Sequence, residues 1–119
     1  MTIHFRIPEY RSPRNLWRRQ IHTAALAARR RTGIRYAAAD RLAIEVRLYL
    51  TGRALHWNDV DNRLKDVLDA LQGRAGGPKS VRSLSPVIPN DRQVFRVVIE
   101  KRAPPKQSLG SGHVTVRRL

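Results

Sequence analysis

"LAIEVRLYL", Leu42 to Leu50, alternates without a break: Leu42, Ile44, Val46, Leu48 and Leu50 fall on one side, Glu45, Arg47 and Tyr49 on the other. That period of two is the pattern of a strand with one face buried. A short turn later the period changes. In "HWNDVDNRLKDVLDALQG", His56 to Gly73, the apolar residues Val60, Leu64, Val67, Leu68 and Leu71 recur at i, i+4, i+7, i+8 and i+11, which predicts an amphipathic helix from about Asn58 to Gln72. Asn58 can cap its start and Gly73 can stop it. A strand leading straight into a helix points to an α/β domain.

The flanking sequence extends that pair. "IHFRI", Ile3 to Ile7, alternates in the same way and Pro8 ends it, so a short strand opens the chain. Ser12 followed by Pro13 reads as an N-cap with proline at the first helical position. The helix runs to about Arg31, with Trp17, Ile21, Ala24, Ala25 and Ala28 at helical spacing and Gly33 as its stop. Downstream, residues 73–90 are rich in Gly, Ser and Pro and read as a long flexible loop, with room for a short strand around "PVI". "VFRVVIEK", Val94 to Lys101, reads as a buried strand, expected to run antiparallel to 42–50. In the tail, about 103–119, "RAPPKQSLGSG" reads as an exposed linker, and "HVTVRR" as an edge strand or a disordered end. The expectation for residues 1–119 is therefore one small domain, a mixed sheet with two main helices. A chain of 119 residues that is 41% hydrophobic supports one modest core.

Composition narrows the function. Twenty-four Lys and Arg against nine acids leave a net charge of +15, the electrostatic footprint of a protein that meets a polyanion. Absence of cysteine removes thiolate catalysis, iron–sulfur clusters and cysteine-based zinc sites. No run of about 18 apolar residues could span a bilayer and no apolar segment follows the basic start, so the expected location is cytoplasmic, with no membrane partner. "GRAGGPKS", Gly73 to Ser80, mimics a phosphate-binding loop, but Pro78 stands where the second glycine belongs. Proline supplies neither the N–H nor the torsion that cradle needs, which argues against a nucleotide cofactor. His4, His22, His56 and His113 are scattered without metal-ligand spacing. His56 reads as a partly buried filler beside Trp57. Arg14, Arg18, Arg19, Arg29, Arg30 and Arg31 are the candidate DNA contacts, although the last three also suit the negative end of a helix dipole.

Four of the nine acids lie between His56 and Gly73. Asp59 and Asp61 have a structural reading, as first-turn residues that favour the positive end of the dipole, with Asp61 and Lys65 spaced as an i,i+4 pair. They also have a chemical one. Two carboxylates flanking Val60 at a strand-to-helix mouth repel each other, and a bound cation relieves that repulsion. Oxygen donors without Cys or paired His suit Mg²⁺, with Mn²⁺ as a substitute, and such an ion completes its shell with water and substrate phosphate.

"DVDNRLKDVLDALQG" followed by "NDRQV" resembles the RusA family of Holliday-junction resolvases, whose pattern is D-x-D-N-x-x-K, then D-A-L, then a D-D-x-Q-V-like segment. The match covers Asp59, Asp61, Asn62, Lys65, Asp69, Ala70, Leu71, Asp91, Gln93 and Val94. The resemblance implies a RusA-like endonuclease domain, in which Asp59, Asp61 and Asp91 bind Mg²⁺ and Lys65 is the cation near the scissile phosphate. It implies a homodimer with two such sites, cutting opposed strands of a four-way junction in DNA recombination and repair. Asn90 stands where the family commonly has the first Asp of its D-D pair, and the loop before it is longer than in compact members. A shared metal requires the loop to return Asp91 to within about 10 Å of Asp59, and eighteen loop residues reach roughly 60 Å. The rival reading is a non-catalytic, basic nucleic-acid-binding module of the same fold. Single-stranded RNA recognition is disfavoured by only seven aromatics with no alternating aromatic strand.

Overall fold

In the computed structural model, which describes residues 1–77, 80–106 and 111–119, the chain folds as β1 (Thr2–Ile7), α1 (Arg14–Thr32), β2 (Leu42–Tyr49), α2 (Ala54–Trp57), α3 (Val60–Leu71), β3 (Arg74–Gly77), β4 (Ser80–Ser83), β5 (Val94–Arg102) and β6 (Gly112–Arg118). A single 3₁₀ turn, Asp91–Gln93, leads into β5. The main sheet has the order β1-β6-β2-β5. β6 is antiparallel to both β1 and β2, while β2 and β5 are parallel. The expected mixed sheet is present, but two strand assignments change. β5 runs parallel to β2 because α3 forms a crossover between them, returning the chain to the end where β2 began. The C-terminal strand is no edge: β6 lies between β1 and β2.

Both long helices cover one face of this sheet. Ile3, Phe5 and Ile7 of β1, and Leu42, Ile44, Val46 and Leu48 of β2, join Val114 and Val116 of β6 in one core with Trp17, Ile21, Ala25 and Ala28 of α1 and Val67, Ala70 and Leu71 of α3. Apart from Ala70, Val114 and Val116, those are positions marked by the periods of two and 3.6. The opposite sheet face carries the alternate residues, among them His4, Arg6, Glu45 and Arg117, and these are exposed. β5 departs from the expected buried strand. It is an edge strand, and Phe95, Val97 and Val98 are 63%, 38% and 44% exposed.

Helix boundaries follow local chemistry. Pro13 is the N-cap of α1 rather than its first helical residue, and no side chain caps it. Gly33 ends α1 in the left-handed region at φ 69°, its N–H donating to Arg29 O. The second predicted helix starts slightly later than expected: a one-turn α2 precedes it with Asn58 as its C-cap, and α3 starts at Val60 with Asp59, not Asn58, as an extended N-cap. Gly73, at φ 80°, turns the chain after α3, where a Cβ would lie 2.2 Å from Leu84 O. Part of the expected loop is ordered as the antiparallel pair β3–β4. "PVI" forms no strand; instead Val87 and Ile88 are buried, with backbone N–H groups donating to Leu71 O at 2.8 and 3.0 Å. Pro78 and Lys79 of the mimic loop lie outside the described residues, as do residues 107–110 of the "RAPPKQSLGSG" linker. None of the described helices is long and apolar enough to cross a membrane.

Candidate active site

The end of β2 delivers the chain to the carboxylates. Glu9 accepts hydrogen bonds from the Thr51 backbone N–H and hydroxyl, both at 2.9 Å, fixing the turn through Gly52 into α2. Trp57 ends α2 with 81% of its surface exposed, and His56 beside it is exposed too rather than the partly buried filler expected. Asn58 is held from three directions. Its Nδ2 donates to Ala54 O at 2.9 Å, its Oδ1 accepts from Arg63 at 3.0 Å, and its carbonyl accepts from Lys101 Nζ at 3.0 Å. The following Asp59 makes no side-chain cap bond to α3, although capping residues commonly do. Asp59, Asp61 and Lys65 are all exposed at the start of α3, and no ion pair joins Asp61 to Lys65 among the described residues. The two carboxylates and the ammonium thus remain available to a ligand.

Asp91 is elsewhere. Its backbone N–H donates to Gln72 Oε1 at 3.2 Å, just past the C-terminal end of α3. Asn90 and Gln93 form a reciprocal capping box around it, and buried Gln93 donates to Ala37 O and Asp40 O, both at 2.9 Å. Asp91 therefore sits firmly at the N-terminal end of β5, whereas Lys101 touches Asn58 at the other. The twelve residues of α3 cover about 18 Å. That exceeds the separation a shared ion tolerates, so one chain does not assemble the expected Asp59–Asp61–Asp91 centre. Among the described residues no three His, Asp or Glu stand together as a metal group. Parallel pairing of β2 and β5 is the cause: it places the residue before β5 and the residues after β2 at opposite ends of the sheet.

The other two acids of the stretch have a different job. Asp66 is fully buried, with its Oδ1 accepting from Arg14 Nε and Arg18 Nε at 2.8 Å each and its Oδ2 lying 3.2 Å from Arg63 Nε. Asp69 meets Arg18 Nη2 at 3.2 Å. Arg63, only 8% exposed, lies 3.5 Å over the Tyr10 ring. This cluster fastens α3 to α1. It also changes the reading of the arginines assigned to DNA. Arg18 is committed to Asp66 and Asp69, Arg14 is tied to Asp66, and Arg29 donates to Pro86 O at 2.8 Å and to Ser85 Oγ at 3.1 Å. Arg19, Arg30 and Arg31 are exposed. Asp66 and Arg63 were not legible as a buried pair from motif reading. The available signal was phase: both share the helix side that carries Val67 and Ala70.

On the open sheet face His4 and His113 lie with ring centroids 5.2 Å apart, and His4 Nδ1 is 2.7 Å from Thr115 Oγ1. Burial lowers the His113 pKa below its ordinary value, helped by His4, Arg47 and Arg6. Compared with models of known protein families and with curated protein sequences, the chain matches none.

Proposed function

We propose that the protein is a Mg²⁺-dependent endonuclease that cuts four-way DNA junctions as a homodimer. Each site would combine Asp59, Asp61 and Lys65 of one subunit with Asp91 of the partner subunit. The observation that carries this is the position of the two half-sites at opposite ends of one unpaired, apolar edge strand. A second copy of β5 laid antiparallel about Val98 would set Arg96 opposite Glu100 of the partner subunit, and Val94 opposite Arg102 of the partner subunit. Each β5 would then begin where the other ends, bringing the partner's Asp91 toward the start of α3. Such a two-fold contact is self-complementary, removes an exposed edge and covers Phe95, Val97 and Val98.

Mg²⁺ held there would activate water and neutralise charge on the phosphate. The chain's own groups support the same task. Lys65, one helical turn beyond Asp61, offers its ammonium to the scissile phosphate. Trp57 presents an exposed aromatic face on which an unpaired base at the branch can stack. Because the Asp59 side chain makes no cap bond to α3, its carboxylate is free for the Mg²⁺ ion.

Mixing subunits tests both parts. Asp61→Asn and Asp91→Asn proteins should each be inactive alone on a synthetic junction with Mg²⁺. If sites are shared, a mixed dimer regains one intact site, Asp59 and Asp61 from one chain and Asp91 from the other, and nicks a single strand. No recovery on mixing would refute the shared site. Wild type that binds junctions without Mg²⁺-dependent nicking would establish the binding module instead.

A further inference from the structure

The geometry points to the open face of the main sheet, rather than α1, as the surface that seats a DNA arm through its phosphates. The inference rests on the branched-DNA reading above and specifies where the protein grips that substrate. The register defines rows across this face. In one row Arg117 of β6 and Arg96 of β5 flank Ala43. Two rows away Arg6 of β1, His113 of β6 and Arg47 of β2 stand side by side. These rows are four residues apart, about 13 Å at strand rise, close to the roughly 12 Å width of a DNA major groove with its phosphate walls.

The charges on this face are free to act. Arg6 and Arg117 are exposed, and neither has an ion pair or side-chain hydrogen bond among the described residues. Arg47 shares Glu100 with Arg102, so one carboxylate answers two guanidiniums. Glu45, in the row between, is the one exposed carboxylate of the face without a cation bound to it among the described residues. On α1, Arg14, Arg18 and Arg29 are already bound to protein groups, which leaves Arg19, Arg30 and Arg31 exposed. No described helix covers this face, where His4, Arg6, Glu45 and Arg117 are exposed.

Binding measured in EDTA separates this inference from catalysis. Each lost arginine–phosphate contact should reduce the slope of log K against log salt by about 0.9, which at 0.15 M salt is about fivefold in affinity. Both chains of the dimer carry the substitutions, so Arg6→Gln with Arg117→Gln should weaken junction binding about thirtyfold and flatten the slope by nearly two for each subunit that grips an arm. Arg30→Gln with Arg31→Gln should leave both near wild type. Glu45→Gln should tighten binding, a gain that misfolding cannot imitate. Full affinity in the sheet variant, with the loss appearing in the α1 variant, would overturn the inference while leaving the endonuclease proposal standing. Wild type that binds but never nicks would do the reverse. Wild type with no affinity for DNA would overturn both.

Discussion

Replacing Asp66 by Ala should be the most damaging single change in the helix pair. Its carboxylate is fully buried and lies within 2.8 to 3.2 Å of Arg14, Arg18 and Arg63. Removing one member of a buried ion pair costs about 3–5 kcal/mol, because the stranded charge cannot be rehydrated where it sits. Here the remaining cations differ in escape. The Arg14 side chain is 41% exposed and can swing toward water, whereas Arg18 and Arg63 are 14% and 10% exposed and have less freedom. The loss should therefore fall near the middle, about 4 kcal/mol, against a total of about 6–18 kcal/mol for a chain of this length. Urea unfolding with m of about 1–3 kcal/mol/M would lower the midpoint by more than 1 M at unchanged m. Asp69→Ala is the control: its Arg18 contact is 3.2 Å at a partly exposed carboxylate, and the loss should be about 1 kcal/mol. Asp66→Asn should fall between, since an amide oxygen can still accept from both guanidinium Nε groups. Equal midpoints for Asp66→Ala and Asp69→Ala would refute the claim that Asp66 anchors α3 to α1.

Tyr36 donates its buried hydroxyl to Val116 O at 2.8 Å, and burial pushes its pKa up to about 12. Tyr36→Phe should cost about 0.5–1.5 kcal/mol in urea unfolding. Above pH about 10 the unfolded tyrosine ionises first, so wild type should lose stability as pH rises toward 12 by more than the Phe variant does. His113 works at the acid side. Its folded pKa is depressed by burial and by His4, Arg47 and Arg6, so below about 6.5 the unfolded chain takes up a proton that the folded chain resists. Stability should fall as pH drops through that window and level off beneath the folded value. A His113→Gln variant should show a shallower decline from pH 7.5 to 5, and parallel profiles would refute the assignment.

Much of the fold was legible because its signals are local. The alternation in β1 and β2 and the helical spacing in α1 and α3 marked core residues that the structure buries, including Trp17, Ile21, Ile44 and Leu71. What failed was pairing. Nothing within "HVTVRR" says that it will enter between β1 and β2, since that depends on two strands distant in sequence. "VFRVVIEK" has the apolar density of a buried strand, yet it occupies an edge. The β3–β4 pair was hidden by glycine and serine, whose low strand propensity is overridden there by backbone hydrogen bonding.

The candidate site shows the same division between what sequence writes locally and what topology decides. Four acids in one stretch looked like one cluster, but helix phase separates them. Asp61 stands about 140° from Asp66 around α3, so one faces solvent when the other faces α1. Asp59 shares the nominal phase of Asp66 yet escapes burial by being extended rather than helical. The proposed metal ligands and the anchor are therefore adjacent in sequence and distinct in placement. Fixing Asp66 against Arg14 and Arg18 sets the direction in which α3 presents Asp61 and Lys65, while Lys101 holds Asn58 to the end of β5. Asp91 belongs to the same motif but lies across a parallel crossover, and no rearrangement of α3 alone can close that gap. A second chain entering along β5, as proposed above, would close it without disturbing either anchor.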